Sequence, residues 1–326
     1  MINFAILGLG KIAKKFAEDL ALVDGGQLVA VGSRSQERAA AFAKTYGAEH
    51  AAGAYEEVFS GPRVDVVYIA TPHTQHAELT TLCLKRGVAV LCEKPLGLHA
   101  SEVEKVVALA RQSKVFLMEA LWTQFLPSFN ALLGEIEDGK IGSVTGLSAD
   151  FGFKVGPRHT QRILDLDLGG GALLDIGIYP VFLAQAVFGK PANVEASARF
   201  HESGADIDDA IVLTYPEGQR ASLHTTLLAK TRTEATIYGT TGTIYVKGDW
   251  YKQTSFEVVP DDGEPYTIAP EAEGWGYCHE ARAVVADLKA GKTENAQWSL
   301  DDSLQLHRTL TDIRDTIGLR YPDDPS

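Results

Sequence analysis

The sequence predicts two domains. The first is an α/β domain with a doubly wound parallel sheet, and the second is an α+β domain with a large, open, mainly antiparallel sheet. The chain has 326 residues, which is enough for two domains of ordinary size. Strand and helix patterns alternate over about the first 120 residues, as in βαβ units. Strand-like runs then follow one another between 144 and 270 without helices, which favours antiparallel pairing. We therefore expect domains at 1–120 and 121–326.

In the first domain, short apolar runs alternate with segments of helical periodicity. The predicted strands are 2–8, 27–33, 64–72, 88–95 and 114–120. The predicted helices are 11–23, 36–47, 74–86 and 101–113. Strands of this kind, separated by helices, form a parallel sheet that is covered on both faces.

The second domain begins with a predicted helix near 125–138. Its strand-like runs are VTGLSADFGF, NVEASARF, DDAIVLTYP, RASLHTTLLA and EATIYGTTGTIYV. The stretches YPEGQ and GTTGTI have the composition of hairpin turns. Two helices, near 277–290 and 300–317, close the chain.

The composition excludes several classes of protein. The formal net charge of −13 argues against nucleic acid or an anionic membrane as a general partner. No run approaches the roughly 20 apolar residues of a membrane helix. The N-terminal MINFAILGLG lacks a basic segment, so it predicts a buried strand rather than a signal peptide.

The cysteines predict neither a disulfide framework nor a structural metal site. Cys83, Cys92 and Cys278 are scattered, and no CxxC or Cys/His cluster accompanies them. No histidines have the spacing of a zinc protease, so we predict no metal. A reducing, cytoplasmic location is expected.

The stretch GLGKIA (8–13) has the pattern G-x-G-x-x-A, with Gly8, Gly10 and Ala13 at the defining positions. It lies where the first strand turns into the first helix. There the glycines let the backbone approach a pyrophosphate at the helix N-terminus. The sequence therefore predicts a Rossmann domain that binds a dinucleotide. The alternative is a tight turn without a ligand.

The end of the second strand favours NADP, with NAD as the alternative. NAD sites usually carry an acid at this point, whereas this chain has VGSRSQER, with Ser33, Arg34 and Arg38. A guanidinium matches the 2′-phosphate of NADP. Otherwise the two arginines are solvated residues at a helix start.

Two further segments, ATPHTQHA (70–77) and CEKPLG (92–97), end strands at the same edge of the predicted sheet. Ligands of open α/β sheets bind outside the carboxyl ends of the strands. We therefore expect Lys94 to point toward the nicotinamide. The alternative is an exposed lysine in a loop.

The stretch GGALLDIGIYP (170–180) carries one carboxylate, Asp175, and one phenol, Tyr179, four residues apart. In a helix these side chains share a face. Two interpretations remain open. The two side chains form a catalytic pair, or the stretch is a helix start in which the acid complements the helix dipole and the tyrosine is buried and hydrogen-bonded.

These motifs together resemble the glucose–fructose oxidoreductase / inositol dehydrogenase (Gfo/Idh/MocA) family. The shared pattern is G-x-G-x-x-A, TP with His76 four residues after the proline, EKP, and D-x-G-x-Y, in the family's order over residues 8 to 180. MEALWTQFLP (118–127) and GGALLDIGIYP resemble the branch of dimeric dihydrodiol and NADP-dependent D-xylose dehydrogenases. Tyr179 stands where many other branches carry histidine.

The resemblance implies an NADP-preferring oxidoreductase that moves a hydride between a nicotinamide and a secondary alcohol of a sugar or trans-dihydrodiol. Tyr179 would be the general acid/base. A free phenol ionises only near about pH 10, and the neighbouring ammonium of Lys94 would favour the phenolate. Lys94 would also bind the substrate oxygen, and Asp175 would orient Lys94 or a substrate hydroxyl.

The resemblance also implies the residues that surround cofactor and substrate. Trp122, Phe151 and Phe153 would wall the substrate pocket, although Phe151 and Phe153 are equally well explained as core aromatics. The roles of Arg158, Arg162 and Cys92 stay open. The expected cofactor contacts are Gly8, Gly10, Lys11, Ile12, Ser33, Arg34, Arg38, Thr71, Pro72, His76, Glu93 and Lys94.

Sheets of the family's second domain leave an apolar outer face that a partner subunit buries, so we expect a homodimer. Three other functions remain open. The chain could be a ketosugar reductase of the 1,5-anhydrofructose type, an NAD-dependent glycosidase, or a non-catalytic NADP-sensing regulator. Arg34 speaks against the glycosidase, and the presence of both Lys94 and Tyr179 speaks against the regulator.

Overall fold

The computed structural model describes residues 1–156, 160–322 and 324. These residues form two units. The first unit contains Met1–Gly97, Ser101–Phe125 and Glu273–Leu304. The second contains the described residues of Leu98–Ala100, Leu126–Ala272 and Gln305–Ser326. Residues of Glu273–Leu304, from the C-terminal part of the chain, therefore cluster with the N-terminal sheet.

The first unit is built on a six-stranded sheet in the order β3-β2-β1-β4-β5-β6. All neighbouring strands pair in parallel, as predicted. The strands are β1 Ile2–Leu7, β2 Gly26–Gly32, β3 His50–Ala52, β4 Val66–Ile69, β5 Ala89–Glu93 and β6 Leu117–Ala120. The order reverses direction between β1 and β4, and ligands of open α/β sheets bind at such a point.

The predicted helices of the first unit are present, with slightly different ends. They are α1 Lys11–Leu20, α2 Gln36–Tyr46, α3 His76–Lys85 and α4 Ala100–Ser113. The predicted first helix was too long, because the chain leaves the helix after Leu20. The central strands β4 and β5 are buried along their whole length, which explains their continuous apolar sequences. Strand β3 was not predicted, since three residues are too few to show periodicity.

The second unit is built on an eight-stranded sheet in the order β14-β13-β12-β11-β7-β10-β9-β8. The pairs are antiparallel except for β7 and β10, which run parallel, so the sheet is mixed. Both predicted hairpin turns are present, between β9 and β10 and between β11 and β12. The strands are β7 Val144–Gly152, β8 Asn193–Phe200, β9 Asp206–Thr214, β10 Arg220–Thr226, β11 Ala235–Gly239, β12 Gly242–Val246, β13 Phe256–Pro260 and β14 Tyr266–Ile268.

The remaining helices are α5 Pro127–Glu137, α6 Thr160–Ile163, α7 Ile178–Phe188, α8 Tyr277–Lys289 and α9 Leu300–Ile317. A π-helical turn, Leu173–Gly177, leads directly into α7. The stretch GGALLDIGIYP is therefore largely helical. Helical turns of this wide type are rare and are frequently found at functional sites.

One segment, Leu166–Phe188, is apolar and long enough to cross a membrane by length and composition. From the sequence we expect no apolar run long enough for a membrane helix, so this segment departs from that expectation. Its most apolar window is 78% buried inside the protein. The core helix of a soluble protein has the same properties, so the segment is weak support for a membrane span.

The outer face of the eight-stranded sheet differs from the apolar surface that was expected. On β8 the exposed side chains are Asn193, Glu195, Ser197, Arg199 and Phe200, of which Phe200 is 43% exposed. Larger aromatic side chains, Tyr238 and Tyr245, are 43% and 46% exposed on β11 and β12. The outer face therefore carries both polar and apolar side chains, and along most of β8 alternation places the polar ones outside.

Candidate active site

The glycine loop joins β1 to α1 at the direction switch of the parallel sheet. Gly8 has φ +87°, and a Cβ at this position would lie 2.6 Å from the carbonyl oxygen of Ala70. Gly10 is the N-cap residue of α1, and a Cβ there would meet no atom within 4 Å. Lys11 and Ile12 follow in the first turn, with Ile12 36% exposed. The helix N-terminus therefore faces open space that is suited to an anion.

Two arginines and a tyrosine cluster beyond the end of β2. Arg38 donates from Nη2 to the carbonyl oxygen of Leu9 in the glycine loop, at 3.3 Å. Ser33 is buried, and its Oγ accepts from the amide of Ser35 at 3.3 Å. Burial raises the pKa of Tyr55, while the charges of Arg34 and Arg38 oppose that shift. Sequence reasoning missed Tyr55, which lies outside the loop that ends β2.

His76 connects the loops that follow β4 and β5. Its Nδ1 lies 2.7 Å from the carbonyl oxygen of Pro95, and its Nε2 lies 2.9 Å from that of Thr71. Burial lowers the pKa of His76, although the two carbonyl contacts favour the charged ring. Pro72 is half-buried, and the Thr71 hydroxyl is buried with no partner among the described residues. His76 thus connects the two loops, and its role as a cofactor contact stays a prediction.

The end of β5 carries a buried acid followed by a half-buried base. Glu93 is 8% exposed and accepts a short hydrogen bond from the hydroxyl of Tyr68. Burial raises the pKa of Glu93 to about 7, against the opposing effects of Tyr68 and Lys94. Glu280 on α8 is fully buried nearby, and its pKa is raised by burial and by the charge of Glu93. Lys94 itself is half-buried at the carboxyl edge of the sheet, where a cofactor is expected.

Trp122, which follows β6, is 4% exposed. Its ring stacks on Tyr277 of α8, with centroids 4.7 Å apart and planes at 16°. Tyr277 belongs to Glu273–Leu304, which explains why sequence reasoning did not connect the two residues.

In the second unit, Asp175 lies in the π-helical turn and is held by Arg162. Nη2 of Arg162 donates to Oδ1 of Asp175 at 2.7 Å. The Asp175 side chain is 13% exposed, against 42% for Arg162. The structure thus gives Arg162 a contact that the sequence left open, whereas Arg158 lies outside the described residues.

Tyr179, on the first turn of α7, is 6% exposed and belongs to a cluster of three aromatic rings. Phe151 lies 5.7 Å from Tyr179 and 4.2 Å from Tyr251, between ring centroids. Tyr251 and Tyr179 are 5.2 Å apart. Phe153 follows the end of β7, is half-buried, and donates its backbone amide to Thr226 at 3.0 Å. Tyr251 was not predicted, although DWYKQ between β12 and β13 is an aromatic loop sequence.

One trio of side chains in the described part of the chain could offer ligands to a metal: Glu273, Cys278 and His279, with ligand atoms within 4.8 Å of one another. Arg282 already binds both oxygens of Glu273, at 2.7 and 2.5 Å. The thiols of Cys83, Cys92 and Cys278 are all buried and unpaired with one another. Burial raises the pKa of Cys92 well above its usual value, so the thiol is protonated rather than reactive.

The glycine loop, the two arginines and the carboxyl edge of the parallel sheet fit a dinucleotide. Gly10 leaves room at the α1 N-terminus, and the Thr71 hydroxyl is a buried polar atom that a ligand could satisfy. No acid lies in SRSQ (33–36) to compete with a 2′-phosphate. Fold and site together define an NAD(P)-dependent oxidoreductase with a Rossmann domain.

Comparison with known proteins identifies the family. Residues 2–121 match the oxidoreductase family with an NAD-binding Rossmann fold (Gfo/Idh/MocA), and residues 129–245 match the Gfo/Idh/MocA C-terminal domain. The chain belongs to the Gfo/Idh/MocA family of oxidoreductases, which confirms the resemblance seen in the sequence.

Several relatives match over almost their whole length. The chain is 36% identical to trans-1,2-dihydrobenzene-1,2-diol dehydrogenase of Mus musculus and 35% identical to that of Homo sapiens, with 99% of each chain covered. Among solved structures it is similar to KijD10, a 3-ketoreductase from Actinomadura kijaniata in complex with NADP and TDP-benzene. That likeness has a TM-score of 0.87 and 26% identity, and it covers 97% of this chain and 98% of the other.

Proposed function

We propose that this protein is an NADP-preferring dehydrogenase that oxidises a secondary alcohol of a trans-dihydrodiol or sugar, with Tyr179 as general acid/base and Lys94 as its assistant. The observation that carries the proposal is Tyr179 itself. It is a buried phenol on a helix whose preceding turn holds a charge-paired carboxylate, beside two further aromatic rings. The relatives with the same length are named dihydrodiol dehydrogenases.

In the proposed reaction the hydroxyl proton of the substrate moves to the phenolate oxygen of Tyr179. A nicotinamide dinucleotide held by the glycine loop and by Arg34 would supply the hydride acceptor for the carbinol carbon. The ammonium of Lys94 donates a hydrogen bond to the substrate oxygen, and its charge favours both the phenolate and the negative charge that develops on that oxygen. In reduction the same groups work in reverse, and Tyr179 returns the proton to the new alcohol.

The aromatic cluster supports an alcohol with one apolar face. Phe151 and Tyr251 are stacked at 22°, and Tyr179 lies against both rings. Flat aromatic walls accept either a cyclohexadiene diol or the apolar face of a sugar. We include Trp122 and Phe153 as further pocket residues, as the sequence suggested.

The preference for NADP rests on Arg34 and Arg38. Both are exposed at the end of β2, and their charges act on the same tyrosine, Tyr55. Two guanidinium groups at this point suit a phosphate better than a free ribose hydroxyl. NAD would bind without that contact.

A second candidate is the reduction of a ketosugar. The likeness to a 3-ketoreductase crystallised with NADP favours it. The residues proposed above would carry out this reaction in the opposite direction, so direction and substrate separate the two candidates.

The experiment is a panel of trans-dihydrodiol, D-xylose, D-glucose and inositol with NADP⁺, and a ketosugar with NADPH, followed by nicotinamide absorbance. Wild type is compared with Tyr179→Phe and with a control variant, Tyr266→Phe. Tyr266 lies on β14, and its hydroxyl binds Glu135 at 2.5 Å. We expect Tyr179→Phe to lose about 100-fold or more of kcat, which is typical of a general acid/base, and Tyr266→Phe to keep it. Full activity of Tyr179→Phe would refute the assigned role.

We also propose a homodimer, formed through the outer face of the eight-stranded sheet, in the cytoplasm. A shallow depression of about 460 Å³ on this face is bordered by the small side chains of Ser197, Ala210 and Ser222, and also by Glu195 and His224. These small side chains let a second surface approach closely. A monomer by light scattering at micromolar concentration would refute the dimer.

A further inference from the structure

Two buried aspartates lie behind the segment that carries Asp175 and Tyr179. Asp206 begins β9, and Asp209 follows on the same strand, and both are 0% exposed. Residues three apart on a regular strand point to opposite faces. Asp209 lies on the buried face by regular pairing with Thr225. The pairing of β8 with β9 shifts between Arg199 and Phe200, and this irregularity places Asp206 on the same buried side.

Asp206 holds the backbone at the start of the π-helical turn. Its Oδ2 accepts from the amide of Leu173 at 2.6 Å, and the amide of Ala172 also contributes. Gly171, with φ +130°, leaves the necessary room, because a Cβ there would lie 2.0 Å from Oδ1 of Asp206. Asp206 thus binds the backbone two to three residues before Asp175.

Asp209 supports Asp206 from the sheet. Its Oδ2 accepts from the Thr225 hydroxyl on β10 at 3.1 Å. The Oδ1 atoms of both aspartates are buried and have no other partner among the described residues. Two carboxylates cannot donate to each other, so the contact between the side chains requires a proton on one of them. Burial raises the pKa of both aspartates, and burial together with the charge of Asp206 raises that of Asp209 to about 9, so the pair holds a proton at neutral pH. We place the proton on Asp209, because the carboxylate of Asp206 already accepts from backbone amides.

Among the described residues, the other ionisable groups near the pair have partners of their own. The Tyr321 hydroxyl is buried and donates to the carbonyl oxygen of Gly170 at 2.8 Å. Arg314 on α9 lies over the Tyr321 ring at 4.6 Å and pairs with Asp324. Asp208 binds Nε2 of His224 at 2.9 Å, and both side chains are partly exposed.

We propose that Asp206 and Asp209 are positioning residues: the proton on Asp209 supports the carboxylate of Asp206, which fixes the backbone of Ala172 and Leu173 and so sets the orientation of Asp175 and Tyr179. The catalytic part of this inference rests on the proposed role of Tyr179. The hydrogen bonds to the backbone do not.

The test compares three variants, Asp209→Asn, Asp209→Ala and Asp262→Asn. Asp262→Asn is the control, because Asp262 is an exposed aspartate between β13 and β14. Asparagine keeps a donor toward Asp206, whereas alanine leaves its carboxylate without one. We expect Asp209→Ala to lower kcat by up to about 100-fold with little change in KM or NADP affinity, as for a misplaced catalytic group. Asp209→Asn should restore kcat to within a few-fold, and Asp262→Asn should match wild type.

Two further measurements separate this inference from the proposed function. Hydrogen exchange should speed up at the Leu173 amide in Asp209→Ala but not in Asp209→Asn. The wild type should also lose protection there as the pH rises through about 9, and Asp209→Asn should not. Unchanged exchange in Asp209→Ala, or equal loss of kcat in both Asp209 variants, would overturn the positioning role. Faster exchange with full activity in Tyr179→Phe would overturn the proposed function alone.

Discussion

The guanidinium of Arg162 donates to the carboxylate of Asp175 at 2.7 Å, four residues before Tyr179. Asp175 is mostly buried in the π-helical turn, and its charge is therefore compensated by a residue from the short helix α6. A carboxylate held in this way keeps a fixed orientation. This contact makes Arg162 part of the candidate site.

Removing the guanidinium should affect turnover more than stability. Since Arg162 is 42% exposed, we expect Arg162→Ala to lower the free energy of unfolding by less than about 1 kcal/mol. Turnover should fall by about 10-fold, because Asp175 loses its orienting partner next to the proposed acid/base. Urea unfolding and kcat for the same preparations would test this expectation.

A double-mutant cycle identifies the partner. If Arg162 acts through Asp175, the loss in Arg162→Ala/Asp175→Asn should be close to that of Asp175→Asn alone. Arg320→Ala is a matched control, because it removes another surface pair, with Asp315 at 2.8 Å. Strictly additive losses would show that the two side chains act independently.

Arg34→Ala should weaken the binding of NADP without weakening that of NAD. A hydrogen bond to a charged group contributes about 1.5–3 kcal/mol, so the dissociation constant for NADP should rise by about 10-fold or more. Isothermal titration with both cofactors gives the ratio directly. Arg63→Ala, an arginine paired with Asp65 at 2.9 Å, serves as control. Equal effects on NADP and NAD would show that Arg34 does not contact the 2′-phosphate.

Lys94→Met should lower kcat/KM by about 100-fold or more while the protein still folds and binds NADP. If Lys94 assists Tyr179 as proposed, the rising limb of the pH profile for oxidation should also move to higher pH, because the ammonium would no longer favour the phenolate. Lys85→Met, at the exposed end of α3, is the matched control. A fall in kcat/KM with no shift of the limb would restrict Lys94 to binding the substrate oxygen.

Features of the candidate site that lie within one turn of the chain can be recognised in the sequence, whereas those that depend on distant pairing cannot. Gly8 and Gly10 could be found because their function lies in a single turn after a strand. Tyr251 could not, since its contact with Phe151 depends on the pairing of strands a hundred residues apart in the sequence. The inward turn of Asp206 depends on a strand bulge that alternation does not reveal. The parallel pairing of β7 with β10 likewise depends on a long crossover.

Glu93 should make the stability of the protein depend on pH in a defined window. Its pKa is raised from 4.5 to about 7 in the folded protein, chiefly by burial, so the folded chain keeps a proton that the unfolded chain releases. The stabilisation is complete below about pH 4.5 and is lost as the pH rises to about 7. The loss should reach up to about 3 kcal/mol for this one group.

Glu93→Gln isolates that contribution, because glutamine is neutral at every pH and can still accept from the Tyr68 hydroxyl. Urea unfolding between pH 4 and pH 8 should show the wild type losing stability relative to Glu93→Gln as the pH rises. Glu271→Gln, at an exposed position, should follow the wild-type curve. If wild type and Glu93→Gln ran parallel over this range, the pKa of Glu93 would be the same in the folded and unfolded protein, near 4.5, and Glu93 would be ionised at neutral pH. Its buried charge would then be stabilised by Lys94 and by the hydrogen bond from Tyr68.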